Sequence, residues 1–149
     1  MFSKQIGVIG ASKCDDKLYS IAYEVGKLIA KRGWVLINGG LGGVMEASAK
    51  GALENGGLVV GILPGSKEEA NPYVNVRIAT KMHHARNMII VYSSDALIAI
   101  GGGYGTISEM AIALKENKVV VAIEPEVKLK GLKIAKNALE AVKMIEDVL

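Results

Sequence analysis

Apolar positions along the chain follow two alternating rhythms. Short continuous runs at Gln5–Ile9, Trp34–Asn38, Leu58–Ile62, Ala96–Ile100 and Val119–Ile123 predict strands. Between them, apolar residues recur at helical spacing. Lys17–Arg32 puts Leu18, Ala22, Val25 and Ile29 on one stripe and stops at Gly33. Val44–Asn55 predicts a second helix, closed by Gly56-Gly57 in the manner of a left-handed C-cap. Lys81–Tyr92 predicts a third, with room for a short strand at Val76–Ile78 before it. Thr106–Glu116 and Leu132–Val148 predict two more. The last carries Leu132, Ala135, Leu139, Val142, Ile145 and Leu149 on one face, suited to core packing or to contact with a second copy.

The strand runs are apolar throughout rather than alternating, the mark of strands covered on both faces in a parallel sheet. With helices between them, the expected architecture is an α/β, doubly wound, mainly parallel sheet with helices on both faces, in a single domain over 1–149. Right-handed crossovers bring the C-terminal ends of the strands to one edge. Ligands bind at that edge, where strand order reverses.

Glycines gather where that edge should be. Gly10 follows the first strand, with Ser12 close behind; Gly39, Gly40, Gly42 and Gly43 follow the second. Gly61 and Gly65 flank the end of the third, and four of the five residues Gly101–Gly105 are glycine. Each loop alone could be a tight turn. Together they suggest backbone that a ligand approaches closely. Pro64–Asn75, long for a connection, is either a lid over such a site or a surface excursion.

The stretch IAIGGGYGTISEM runs from strand through glycines into a helix. The first turn of a helix has free N–H groups and the positive end of its dipole, so Gly102, Gly103, Tyr104, Gly105 and Thr106 form a candidate phosphate cradle. It is neither the dinucleotide fingerprint, since GASKCD follows the first strand, nor a P-loop. Thr106-x-x-Glu109 has the spacing of a capping box. Glu109 is also a candidate acid, base or hydroxyl acceptor beside the cradle.

In KMHHARNMI, His83 and Arg86 share a helix face, and Arg86 offers a fork for a phosphate. A solvated basic helix start fits the same residues. His83 and His84 would diverge on a helix, and no metal-ligand spacing is present, so no metal site is expected. Glu46 suits a helix first turn. Neither Cys14 nor Ser12 has a base nearby in sequence, which leaves nucleophilic catalysis without support.

Half of the residues are hydrophobic and 22% are charged, a globular balance. The net charge of +3 is dispersed, so no nucleic-acid partner is expected. A lone Cys14 fits a reducing compartment. No signal peptide or membrane-length apolar run is evident, and a cytoplasmic protein with no membrane partner is expected.

GGLGGVMEASAKGALENGGLVVGILPG and DALIAIGGGYGTISE together resemble the LOG (Lonely Guy) family, also labelled the "possible lysine decarboxylase" family. The resemblance runs from Ile6 to about Ile123. It implies a Rossmann-like fold, a homo-dimer or higher homo-oligomer, and phosphoribohydrolase activity on nucleoside 5'-monophosphates. Of the family pattern P-G-G-x-G-T-x-x-E, Gly102, Gly103, Gly105, Thr106 and Glu109 match, and Gly101 stands for the proline. The family's Arg-Lys pair is represented by Arg86, followed here by Asn87. Glu109 and Arg86 are thereby the implied catalytic pair. The decarboxylase label implies a pyridoxal cofactor, which no feature supports, and no cofactor is expected. ARNMIIVYSSDALIAIGGGYGTISE is at least as similar to a sister branch, the molybdenum cofactor carrier proteins, which bind a phosphorylated pterin. The expected partner is a phosphorylated small molecule, hydrolysed in the first case and carried in the second.

Overall fold

A computed structural model describes all of residues 1–149, which form seven strands and five α-helices. In chain order they are β1 (Gln5–Gly10), α1 (Asp16–Lys31), β2 (Val35–Asn38), α2 (Val44–Leu53), β3 (Leu58–Leu63), β4 (Val76–Ala79), α3 (Arg86–Ser93), β5 (Ala96–Ile100), α4 (Tyr104–Lys115), β6 (Val119–Ile123), β7 (Lys133–Ala135) and α5 (Ala138–Val148). The strands form one seven-stranded sheet in the order β4-β3-β2-β1-β5-β6-β7. Every neighbouring pair is parallel. The chain builds outward from β1 in one direction, then returns to lay β5, β6 and β7 on its other side. Strand order therefore reverses between β1 and β5.

Alternation along the strands splits the core in two. Ile98 and Ile100 face one layer, where they meet Val25 and Ile29 of α1, Ala47 of α2 and Val142 of α5. Leu97 and Ala99 face the other, with Ile90 of α3 and Met110 of α4. Helices thus cover both faces, which is the Rossmann-like, doubly wound arrangement the apolar strands predict.

Local chemistry sets the helix ends. Asp15 caps α1 by accepting from the Leu18 N–H at 2.9 Å, and Asn137 caps α5 by accepting from Glu140 at 2.9 Å. α1 and α2 cross in backbone contact. A Cβ on Gly26 would lie 1.9 Å from the Ser48 carbonyl oxygen, and one on Gly51 would lie 2.0 Å from that of Tyr23. No helix is long and apolar enough to cross a membrane.

Two predicted helices are revised. Lys81–Tyr92 is not continuous: Lys81 and His83 both have φ of 52°, His83–Ala85 forms one 3-10 turn, and α3 begins at Arg86. The backbone donors here go elsewhere. Lys81 N–H donates to Gly65 at 3.3 Å and His83 N–H to Pro64 at 3.0 Å, tying the segment to the exit of β3. Leu132–Val148 also divides. Lys133–Ala135 pairs with Val121–Ile123 and covers the edge that β6 would otherwise expose. The helix that remains buries Ala138, Ala141, Val142 and Ile145 in the core, while Leu139 stays 48% exposed.

The 64–75 connection is anchored rather than loose. It holds a 3-10 turn at Lys67–Glu69, and the Asn71 N–H donates to the Gly40 carbonyl at 2.8 Å. The Asn71 Nδ2 adds a bond to Leu41 at 2.9 Å. Its first residue, Pro64, lines the cavity described next.

Candidate functional site

A cavity of about 570 Å³ opens at the C-terminal ends of the central strands, where strand order reverses. β1 and its loop supply Gly10, Ser12 and Lys13. The loop after β2 supplies Gly39 and Leu41, and α2 adds Met45. His83, His84, Arg86, Asn87 and Ile90 come from the segment around the start of α3. Gly103, Gly105, Thr106 and Glu109 come from α4 and its approach.

The approach to α4 is shaped by glycine. Gly101 and Gly102 have φ of 57° and 100°, a region that residues with side chains rarely adopt. Gly103 is the N-cap and offers no side-chain cap. The first intrahelical bond runs from the Ile107 N–H to the Gly103 carbonyl at 2.9 Å, so the N–H groups of Tyr104, Gly105 and Thr106 precede it. A Cβ on Gly103 or Gly105 would meet nothing within 4 Å, so the space beside the helix start is open. The Thr106 side chain is 4% exposed and borders the same space.

The capping box does not form. α4 begins at Tyr104, two residues before the predicted start, and this carries Thr106 and Glu109 past the cap. Glu109 lies in the second turn, buried and facing the cavity. Burial pushes its carboxyl up to about 7, and the positive charge of Arg86 pulls against that rise. Arg86 is buried too, which lowers its affinity for a proton, while Glu109 and Glu69 support the charge. Its Nε donates to the Ile62 carbonyl at 2.8 Å, and its Nη1 donates to Asn87 Oδ1. Its Nη2 leans toward the Gly39 carbonyl at 3.5 Å.

Of the sequence candidates, Gly10, Ser12, Gly39, Arg86, Gly103, Gly105, Thr106 and Glu109 meet in one cavity. Gly40, Gly42, Gly43, Gly102 and Tyr104 do not line it. Gly40 has φ of 74° and packs on Leu63, and its N–H donates to Asn38 Oδ1 at 2.8 Å. Gly43 is the N-cap of α2, and it and Gly42 pack against the Ser12 backbone. Gly102 packs on Thr106, and the Tyr104 side chain is 93% exposed. Both His83 and His84 reach the cavity, because the segment is a 3-10 turn rather than the predicted α-helix. Lys13, which no sequence motif marks, and Asn87 also line the cavity, each next in sequence to a candidate, Ser12 and Arg86. Glu46 accepts from the Tyr19 hydroxyl at 3.3 Å, away from the lining.

Residues 3–148 match the SLOG cluster4 family. The chain belongs to that family. One relative, a protein of Archaeoglobus fulgidus, is 64% identical over 138 residues, 93% of this chain and 91% of that one. The cytokinin riboside 5'-monophosphate phosphoribohydrolase of Mycobacterium tuberculosis is 34% identical over 87% of this chain and 74% of its own length. Among solved structures, the molybdenum cofactor binding protein of Rippkaea orientalis superposes with a TM-score of 0.94 at 36% identity, covering 99% of this chain and 98% of that one. The molybdenum cofactor carrier protein of Chlamydomonas reinhardtii does so with a TM-score of 0.91 at 34% identity, over 98% of both chains. The chain is thus similar both to a phosphoribohydrolase and to molybdenum cofactor carrier proteins, the two groups its motifs resemble.

Proposed function

We propose that this SLOG protein binds a nucleoside 5'-monophosphate across the switch point and hydrolyses its N-glycosidic bond. One observation carries the proposal: Glu109 is a buried carboxyl that faces the cavity beside Arg86, with a proton affinity close to neutrality. The phosphate sits on the free N–H groups of Tyr104–Thr106, where the helix dipole and the Thr106 hydroxyl favour an anion. Breaking the bond from C1' to the base sends the electron pair to the base and leaves oxocarbenium character on the ribose. The Glu109 carboxylate stabilises that charge and takes a proton from the water that adds at C1'. Glu109 passes that proton to the departing base, which leaves neutral, and ribose 5-phosphate is the second product. Arg86 positions the ligand. The name of the Mycobacterium tuberculosis relative supports this chemistry.

A second proposal is a carrier that binds a phosphorylated pterin and catalyses nothing. Two observations favour it: the carrier-type structures match nearly the whole chain, and Asn87 stands where the LOG pattern has a lysine. Either protein would be cytoplasmic and assemble as a homo-dimer or higher homo-oligomer, which sedimentation tests.

The deciding experiment is product analysis with a panel of nucleoside 5'-monophosphates. Release of free base and ribose 5-phosphate, lost in a folded Glu109→Ala variant, supports hydrolysis. Thermal stabilisation by a phosphorylated ligand without any product supports the carrier. Neither product nor stabilisation defeats both.

A further inference from the structure

Asn87 has no part in the chemistry above, yet it lines the cavity beside Arg86. Guanidinium nitrogens only donate, so the amide must turn its oxygen toward Arg86 and its Nδ2 away. Arg86 is itself fixed by the Ile62 carbonyl, so the amide has little freedom to flip. No buried side-chain nitrogen or oxygen in the protein lacks a partner, so Nδ2, which has none, is accessible rather than sealed against apolar wall, in a residue that lines the cavity. The result is a neutral group, oriented by its neighbour, presenting two donors and no free amide oxygen facing the same way.

Its place in the sheet says which part of a ligand it meets. Arg86 reaches the carbonyls of Ile62 on β3 and Gly39 just beyond β2, so the amide lies over that side of the cavity. The glycine loop into α4 leaves β5, and β1 separates β5 from β2. Two strand spacings amount to about 10 Å. That is comparable with the reach of a mononucleotide from phosphate to heterocycle.

We propose that Asn87 is a specificity-determining residue whose Nδ2 donates to an oxo group on the ligand's heterocycle, so that the site selects oxo-bearing over amino-bearing bases. The inference rests on the placement of the phosphate at α4 in the proposed function. An exocyclic amino group at this point would face the donors of Asn87 and Arg86 with donors of its own. An oxo oxygen accepts from them and sits well in the positive field of Arg86.

The test compares binding of inosine 5'-monophosphate, adenosine 5'-monophosphate and ribose 5-phosphate by calorimetry. Asn87→Asp keeps an acceptor for Arg86 and removes both donors. The wild type is expected to bind the inosine nucleotide about tenfold more tightly than the adenosine nucleotide. In Asn87→Asp that preference disappears through weaker binding of the inosine nucleotide, while ribose 5-phosphate binds as before. Equal affinities in the wild type, or a preference for adenosine, overturn the inference without need of a variant. So does a preference that survives in Asn87→Asp. If ribose 5-phosphate and both nucleotides fail to bind, the phosphate placement itself falls, and the inference with it.

Discussion

Glu109 and Arg86 are only 7% and 8% exposed within one cavity and feel each other's charge, yet they form no direct ion pair. Arg86 spends its donors on carbonyls and on Asn87 instead. A touching pair would hold the carboxyl low. At this separation desolvation wins, and Glu109 rises to about 7.

Stability should therefore fall with rising pH through this one group. The folded value, about 7, lies above the ordinary 4.5. The fold binds the proton more tightly than the unfolded chain does, so this contribution is complete below 4.5 and lost as pH rises through about 7. Its full size is about 3 kcal/mol. Glu109→Gln, which is never charged, should melt higher than the wild type at about pH 8, with the advantage shrinking toward acid. Thermal melts of the two proteins across pH check this. A gap that stays constant would mean that Glu109 is not the titrating group.

Arg86 is the positive charge that restrains Glu109. Arg86→Leu should move the Glu109 titration to still higher pH, measured by carbon-13 NMR of labelled glutamate. The variant should also lose about 1–3 kcal/mol of stability, because the Ile62 carbonyl loses its donor. A titration that stays in place would show that the guanidinium charge does not reach the carboxyl.

The crossing of α1 and α2 gives a third expectation, read by denaturant unfolding. Gly26→Ala drives a methyl group into a backbone carbonyl, which cannot swing aside as a side chain can. A loss of about 3 kcal/mol or more is expected. Gly33→Ala is the control: its φ is 71° but nothing lies within 4 Å, so backbone strain alone costs about 1 kcal/mol. Equal losses would show that the helices can slide apart freely.

The fold was legible because apolar runs such as Ala96–Ile100 are buried on both faces, and only a covered parallel sheet permits that. The cavity's position followed from the same logic, since the glycine loops had to share one edge. What the sequence hid were competitions settled by distant partners. Ile134 reads as one turn of a helix until β6 is known to need a neighbour. His83 reads as helical until the Pro64 carbonyl claims its N–H. Thr106 and Glu109 have capping spacing, but Gly103 had already opened the helix. Glycines such as Gly40 and Gly43 were recognisable as special, while their partners, Leu63 and the loop after β1, were not.

The loops that frame the cavity are fastened by amides. Asn38 accepts from Gly40 and donates to the Met45 carbonyl, Asn71 grips Gly40 and Leu41, and Asn87 holds Arg86. Amide side chains neither titrate nor attract counterions. The enclosure should hold its dimensions through changes of acidity and ionic strength that rewrite the charge on Glu109, so the vessel stays constant while its contents change state.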